Sequence, residues 1–241
     1  MKKNKLFPIL ALTAVLTSCV KPDEPKEIRF SILGDSFSAF EGYVDPESND
    51  VFYSLSSHYT DVRSVEEMWW YKVAVETGWT LDKNNSFSGS LICNFWGYNA
   101  GPYYGPHSFI RRMDNLGNPD VIFVFGGTND VRCGAWYGEY VYSDWTEEQL
   151  EYIRPALAFM FDQLKRLYPR AKIYFLADMY LYDYAPEGRT FIESLHQVAS
   201  RYDVNCIDLY GISKMYGHPD VEGQDEIARQ LIEMLELDFN V

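Results

Sequence analysis

The chain has 241 residues, of which 47% are hydrophobic, enough to build the core of one α/β domain. It carries 35 acidic and 21 basic residues, a formal net charge of −14 at pH 7. Because nucleic acids and anionic lipid headgroups are bound through basic surfaces, this charge argues against both as ligands.

The first 18 residues predict a signal peptide. Three lysines precede an apolar run, 6–16, that is too short to span a membrane. The run ends in Leu-Thr-Ser-Cys, which resembles the lipobox of bacterial lipoproteins and implies cleavage before Cys19, with lipid on the new N-terminal residue. Several acyl chains anchor a protein stably to a membrane. An ordinary secretory signal with an incidental cysteine is the alternative.

Residues 19–27 are polar and contain two prolines, which predicts a short extended tether. The Lys-x-Asp-Glu pattern at 21–24 resembles the signal that sends lipoproteins of Bacteroidetes to the outer face of the outer membrane. We therefore expect a signal peptide at 1–18, a tether at 19–27 and one folded domain at 28–241. The expected location is the outer membrane, through the N-terminal lipid only and with the domain at the cell surface.

Strand and helix patterns alternate from residue 28 onward. Apolar runs predict strands at 28–34, 119–127, 171–176 and 204–210, and helical spacing predicts helices at 65–77, 146–168, 191–202 and 227–235. A capping box, Thr146 with Gln149, is expected to open the second of these helices, and Pro155 to kink it. This alternation predicts a parallel sheet with helices on both faces.

Four short motifs lie beside predicted strands or before the last helix. They are Gly-Asp-Ser ending at Ser36, Asn-Asn-Ser-Phe-Ser-Gly ending at Gly89, Gly-Gly-Thr-Asn-Asp around Asn129, and Gly-His-Pro around His218. A serine hydroxyl is a weak nucleophile that needs a base such as imidazole. A backbone N–H and a side-chain amide stabilise the oxyanion of acyl transfer. The set therefore predicts acyl-transfer chemistry at the carboxyl edge of the sheet.

These four motifs, in this order, resemble those of the SGNH (GDSL) hydrolases, over about residues 28–235. The resemblance implies a three-layer α/β/α, flavodoxin-like fold with a central parallel sheet, and ester hydrolysis through an acyl-enzyme without a metal or cofactor. It implies Ser36 as nucleophile, His218 as base, and an oxyanion hole from the Ser36 and Gly89 N–H groups and the Asn129 amide. The pair Trp69-Trp70 resembles a subgroup frequent in gut Bacteroidetes.

One position departs from the family pattern. Family members usually carry an aspartate three residues before the histidine, where this chain has Met215. That carboxylate orients the imidazole and stabilises its charged form. We therefore expect a Ser–His dyad, with Asp208 or Asp220 as candidate orienting groups and reduced activity as an alternative.

The favoured function is a carbohydrate esterase that removes small acyl groups from glycans, so the expected substrate is an acylated polysaccharide or small molecule. Aromatic residues at 95–104 and 136–145 provide either a platform for sugar rings or packing for the loops. The alternatives are a catalytically impaired glycan-binding surface lipoprotein and a lipase or acylhydrolase.

The remaining cysteines and histidines yield structural expectations. Cys93 and Cys133 are expected to form a disulfide, with Cys206 as a buried thiol. The other histidines, at positions 58, 107 and 196, lack metal-ligand spacing and are expected to be solvated or structural.

Overall fold

The computed structural model describes residues 27–44, 49, 51–96 and 107–239. The predicted signal peptide, Cys19 and nearly all of the tether lie outside this range, as does most of the aromatic segment 95–104. None of the helices within the described range is long and apolar enough to cross a membrane.

Five parallel strands form the central sheet: β1 (Arg29–Gly34), β2 (Thr80–Ser86), β3 (Val121–Phe125), β4 (Lys172–Asp178) and β5 (Asn205–Leu209). Their spatial order is β2-β1-β3-β4-β5, with every neighbouring pair parallel. This is the flavodoxin-like order, and it confirms the predicted fold class.

The described residues form seven α-helices beside the sheet: α1 (Trp69–Thr77), α2 (Phe109–Arg112), α3 (Thr128–Arg132), α4 (Ile153–Leu167), α5 (Tyr180–Tyr184), α6 (Pro186–Arg201) and α7 (Val221–Phe239). Strand β3 separates two cores because its side chains alternate in direction. Phe123 packs in the core with α1 and α7, whereas Val124 packs in the core with α2, α4 and α6. Apolar burial on both faces is typical of a parallel strand between helical layers.

The long helix α4 begins later than its sequence pattern predicts. The capping box is present, since the Thr146 N–H donates to Gln149 Oε1 at 3.0 Å and the Gln149 N–H donates to Thr146 Oγ1 at 3.2 Å. It opens only one 3₁₀ turn, Gln149–Glu151, and α4 starts at Ile153. Pro155 therefore lies in the first helical turn, where a missing N–H costs no hydrogen bond. The predicted kink is wrong.

A two-stranded hairpin that the sequence pattern did not predict precedes α7. Strands β6 (Lys214–Met215) and β7 (His218–Pro219) are antiparallel and joined by Tyr216 and Gly217. Both turn residues have positive φ, 50° and 80°, as in the tightest hairpin turns. This hairpin carries His218.

The predicted disulfide between Cys93 and Cys133 is wrong. Neither residue forms a disulfide, and the buried Cys93 thiol instead donates to Asp130 Oδ1 at 3.2 Å. Burial raises the pKa of the partly buried Cys206 thiol to about 12.

Candidate active site

The site begins with a serine and a histidine that are 182 positions apart in the chain. Ser36 follows β1 at the carboxyl edge of the sheet, and its Oγ lies 2.9 Å from His218 Nε2. Gly34 permits the close packing at the end of β1, because a Cβ there would lie 2.6 Å from Ser86 Oγ. The sheet edge and the β6–β7 hairpin thus bring the hydroxyl within hydrogen-bond reach of the imidazole.

The other ring nitrogen of His218 faces a backbone carbonyl. Its Nδ1 lies 3.4 Å from the Tyr216 oxygen, a long hydrogen bond. The expectation that Asp208 orients His218 is not met, because its Oδ1 lies 3.0 Å from His196 Nε2. Asp220 accepts from the Ser213 hydroxyl and the Gly223 N–H, and so caps α7. A carbonyl of its own hairpin takes the place expected for a carboxylate.

The surroundings of His218 favour the neutral imidazole. Burial is the main cause, and the positive charges of Arg132 and Lys214 add to it; together they lower the pKa of His218 to about 4, although the Tyr216 carbonyl raises it. At pH 7 the ring is therefore uncharged, the form that can accept a proton from Ser36.

Gly89 and Asn129, the residues expected to supply the oxyanion hole, lie on the same side of the site as Ser36. Gly89 has a φ of 76° in the loop after β2. The Asn129 amide, in the first turn of α3, donates to the Ser90 carbonyl at 3.0 Å and lies 3.3 Å from Asp35 Oδ2. An incoming oxyanion would compete for the second, longer of these bonds. Burial raises the pKa of Asp35 to about 7.

Two buried charged residues hold this loop, and the sequence analysis missed both. Asp130 follows Asn129 and accepts the Ile92 N–H at 2.9 Å, along with the Cys93 N–H and thiol. Burial raises the pKa of Asp130 to about 6. Its place in the Gly-Thr-Asn-Asp motif was the available signal.

Arg112 is the second of these residues. Its guanidinium donates to the Gly34 carbonyl at 3.0 Å, to Ser90 Oγ at 3.0 Å, to the His107 carbonyl at 2.6 Å, and to both the carbonyl and the side-chain oxygen of Asn85. Burial lowers its pKa to about 9. Arg112 belongs to no recognisable motif and so leaves no sequence signal, yet it ties the ends of β1 and β2 to the loop after Gly89.

A cavity of about 890 Å³ opens over these groups, and Ser36, Gly89, Asn129 and His218 all line it. Segment 51–59 lines it with Phe52, the imidazole of His58 and four hydroxyl-bearing side chains.

The remaining histidines occupy different settings. His107 also lines the cavity, with its ring stacked on Phe87 at 3.9 Å between centroids. His196, in contrast, lies away from the cavity lining, beside Asp208. Among the described residues no cluster of three or more histidine, cysteine or acidic side chains is arranged to hold a metal ion.

A parallel α/β/α sheet with a paired serine and histidine at its carboxyl edge is the architecture of a three-layer ester hydrolase. The model of the GDSL-like lipase/acylhydrolase family matches residues 28–235, and the chain belongs to this family. A comparison with proteins of curated function found no match.

Several solved structures resemble the chain. A protein from Bacteroides ovatus described as a GDSL-like lipase is 42% identical with a TM-score of 0.81, over 88% of this chain and 99% of that one. A similarly described protein from Bacteroides uniformis is 39% identical with a TM-score of 0.81, over 88% and 97% of the two chains. An acetyl xylan esterase from Butyrivibrio proteoclasticus shares the fold at 14% identity and a TM-score of 0.57, over 90% and 65%.

Proposed function

We propose that this protein hydrolyses esters through an acyl-enzyme, with Ser36 as nucleophile and His218 as general base. The observation that carries the proposal is the 2.9 Å contact between Ser36 Oγ and a neutral imidazole. Nε2 takes the hydroxyl proton as Oγ attacks the ester carbonyl carbon. The tetrahedral intermediate then expels the alcohol, which receives that proton from Nε2. Water, deprotonated in turn by His218, attacks the acyl carbon and releases the acid and Ser36.

The oxyanion formed in both steps is stabilised by the N–H groups of Ser36 and Gly89 and the amide of Asn129. Each such donor lowers the barrier by roughly 3–4 kcal/mol in hydrolases of this type. A neutral Tyr216 carbonyl stabilises the imidazolium less than a carboxylate would. We therefore expect a modest turnover number but a base that stays available at acidic pH.

The substrate class that we propose is a glycan carrying small acyl groups, with the sugar as leaving group. A cavity of about 890 Å³ has room for sugar rings beside a small acyl chain. Its wall of serine, histidine and tyrosine side chains offers donors and acceptors for sugar hydroxyls. Two exposed tyrosines offer aromatic surface to a sugar ring. Tyr59 is 61% exposed and Tyr216 is 71% exposed, and their rings pair edge-to-face with centroids 5.5 Å apart. The acetyl xylan esterase with the same fold supports this class. Val51, Phe52 and Phe87 add apolar surface to the same lining, which an acyl chain would contact.

For the N-terminus we propose lipidation of Cys19 and attachment to the outer membrane, with the domain at the cell surface. Support comes from the resemblance of residues 16–19 to a lipobox and of 21–24 to an export signal. A surface location would give the site access to polysaccharides outside the cell. Labelling with a radioactive fatty acid, lost in Cys19→Ala, would test it.

A second candidate is a glycan-binding protein with impaired catalysis. It is favoured by one observation, that a backbone carbonyl rather than a carboxylate faces His218 Nδ1. Such a protein would bind acylated glycans without turning them over.

Hydrolysis of an aryl acetate separates the two candidates. We expect Ser36→Ala and His218→Ala to lose at least about a thousandfold in kcat/KM. Ser200→Ala, a serine at the end of α6 bonded to the Gln197 carbonyl, is the matched control and should retain wild-type rates. Acetate release from acetylated xylan would then test the proposed substrate class. Equal rates in the wild type and both site variants would refute the proposal that the protein is an enzyme.

A further inference from the structure

The imidazole of His218 needs a group that fixes the plane of its ring. Rotation of that plane swings Nε2 away from Ser36, and the carboxylate that usually prevents this is replaced by Met215. The 3.4 Å contact between Nδ1 and the Tyr216 carbonyl is long and lies within the same short hairpin. One weak bond from a neighbouring residue does not define the orientation of a ring well. Another contact must supply the constraint.

Three aromatic rings surround the imidazole. Phe52 stacks on its face, with centroids 3.6 Å apart and ring planes 7° from parallel. Phe37 and Tyr53 meet the imidazole edge-on, at 5.4 Å and 6.2 Å. Phe37 follows the nucleophile directly, and Phe52 and Tyr53 belong to segment 51–59. The parallel contact with Phe52 is the one that fixes the ring plane.

The rings are themselves held in place. Tyr53 is fully buried, and its hydroxyl donates to the Pro219 carbonyl at 2.6 Å, so it is tied to the residue after the histidine. Phe52 packs edge-on against Tyr53 at 5.1 Å. Phe37 is anchored through its N–H, which donates to Asp35 Oδ1 at 2.9 Å. The cage is therefore continuous with the core rather than a loose lid.

The groups around the ring are suited to a neutral histidine. Among the described residues, Arg132 from α3 and Lys214 from β6 are the charged side chains that act on the ring, and both are cationic. Lys214 is paired with Asp178 at the end of β4. The remaining titratable neighbours, Tyr53 and Tyr216, present a ring edge and a carbonyl. Among the described residues no carboxylate accepts a hydrogen bond from the ring. A ring face also attracts the imidazolium formed during the reaction.

We propose that Phe52 is a positioning residue for His218, and that its stacked ring takes over the orienting task of the carboxylate that family members carry at position 215. This inference rests on the proposed Ser36–His218 chemistry. It deepens that chemistry by naming the residue that makes a carboxylate-free dyad workable.

Replacement of the ring tests the proposal. Phe52→Leu keeps an apolar side chain without a ring, Phe52→Met is a second such variant in case one fails to fold, and Phe52→Tyr keeps the ring. For the ring-free variants we expect kcat on an aryl acetate to fall by about tenfold or more. We also expect the apparent pKa of the acid limb of kcat/KM, the part of the pH profile where activity falls as His218 is protonated, to rise by about one unit, because water reaches His218. Phe52→Tyr should keep the wild-type limb.

Phe87 provides a matched control in the same cavity. It stacks on His107 with centroids 3.9 Å apart and planes 8° from parallel, but His107 takes no part in the proposed reaction. Phe87→Leu should therefore change KM and leave the acid limb in place. An equal shift of the limb in Phe87→Leu and Phe52→Leu would overturn the proposal.

A carboxylate introduced by Met215→Asp supplies a rescue test. Met215 lies directly opposite His218 in the hairpin, and such side chains are neighbours. Met215→Asp should raise kcat more in the Phe52→Leu background than in the wild type, because the two groups do the same task. Equal gains in kcat in both backgrounds would contradict the proposed role of Phe52.

A measurement without catalysis separates this inference from the proposed function. In protein carrying Ser36→Ala, NMR titration of the His218 imidazole should show its pKa near 4 with Phe52 present and about one unit higher with leucine. If the wild type hydrolyses no ester but this shift is seen, the enzyme proposal falls and the positioning role stands. An unchanged His218 titration in the leucine variant would refute the positioning role.

Discussion

Replacement of Arg112 should destabilise the domain and the oxyanion side of the site together. Its buried guanidinium makes five hydrogen bonds, to Gly34, Ser90, His107 and twice to Asn85. In Arg112→Met these acceptors lose a charged donor, and each buried orphan costs about 1–3 kcal/mol. The guanidinium also regains its lost hydration when the chain unfolds, which offsets part of the sum. We expect a net loss of about 3–5 kcal/mol, large for a single substitution because several buried acceptors are orphaned at once.

Urea unfolding at pH 7 measures this loss, and kcat on an aryl acetate measures the effect on the site. The neighbouring Arg111 is the matched control, because it is exposed in the same short helix and, within the described part of the chain, its side chain donates one hydrogen bond, to Asn94 Oδ1 at 3.1 Å. Arg111→Met should cost less than about 1 kcal/mol. If Arg112→Met unfolds within 1 kcal/mol of Arg111→Met, the assigned role of the buried guanidinium is refuted.

Two further predictions concern the β6–β7 hairpin. Because the pKa of His218 is about 4 in the folded chain and near 6.5 when unfolded, the unfolded state binds more protons between these values, and stability falls as the pH drops through that window. The free energy of unfolding of the wild type should therefore fall between pH 7 and pH 5 by about 2 kcal/mol more than that of His218→Gln. Urea unfolding at the two pH values measures this difference. The same pH dependence in variant and wild type would contradict the prediction. Gly217→Ala forces an alanine to a φ of 80° with its Cβ 2.8 Å from Arg132 Nη2, so we expect a loss of about 1–2 kcal/mol and a lower kcat. Gly211→Ala is the control, because Gly211 has a φ of 66° and an added Cβ would have nothing within 4 Å. This variant should lose stability from backbone strain alone and keep the wild-type kcat. Equal kcat values in the two variants would count against the hairpin as the support of His218.

The sequence predicted most of the sheet because its strands are apolar on both faces and end in glycine or polar motifs. Residues 119–127 and 204–210 contain β3 and β5 as the structure has them. Prediction was weaker where polarity hid a strand, because β2 ends in Asn84, Asn85 and Ser86, which belong to the polar motif ending at Gly89 and not to an apolar run. These side chains are buried at the sheet edge, where they hydrogen-bond one another and neighbouring backbone rather than water.

The start of α4 shows the limit of a local signal. The Thr146–Gln149 box forms as its residues predict, yet the chain leaves the helical conformation at Tyr152 before α4 begins. At that point the Ile153 N–H bonds the Trp136 carbonyl at 2.9 Å and the Arg154 N–H bonds the Tyr137 carbonyl at 3.0 Å. Contacts with a distant loop therefore determine where the long helix starts.

Ser36, Gly89, Asn129 and His218 could be singled out from the sequence as candidate site residues, because each belongs to one of four short motifs in a fixed order. The parallel sheet accounts for the meeting of Ser36, Gly89 and Asn129 at one edge, whereas the β6–β7 hairpin brings His218 there. The tertiary structure alone decided that the Tyr216 carbonyl and the Phe52 ring surround the imidazole, that Asp208 lies against His196, and that Cys93 bonds Asp130 rather than Cys133. The physical reason is the distance along the chain, because periodicity and motifs involve residues only a few positions apart. The partner of a buried polar group depends on which distant segments the folded chain brings beside it, as it brings Phe52 beside His218.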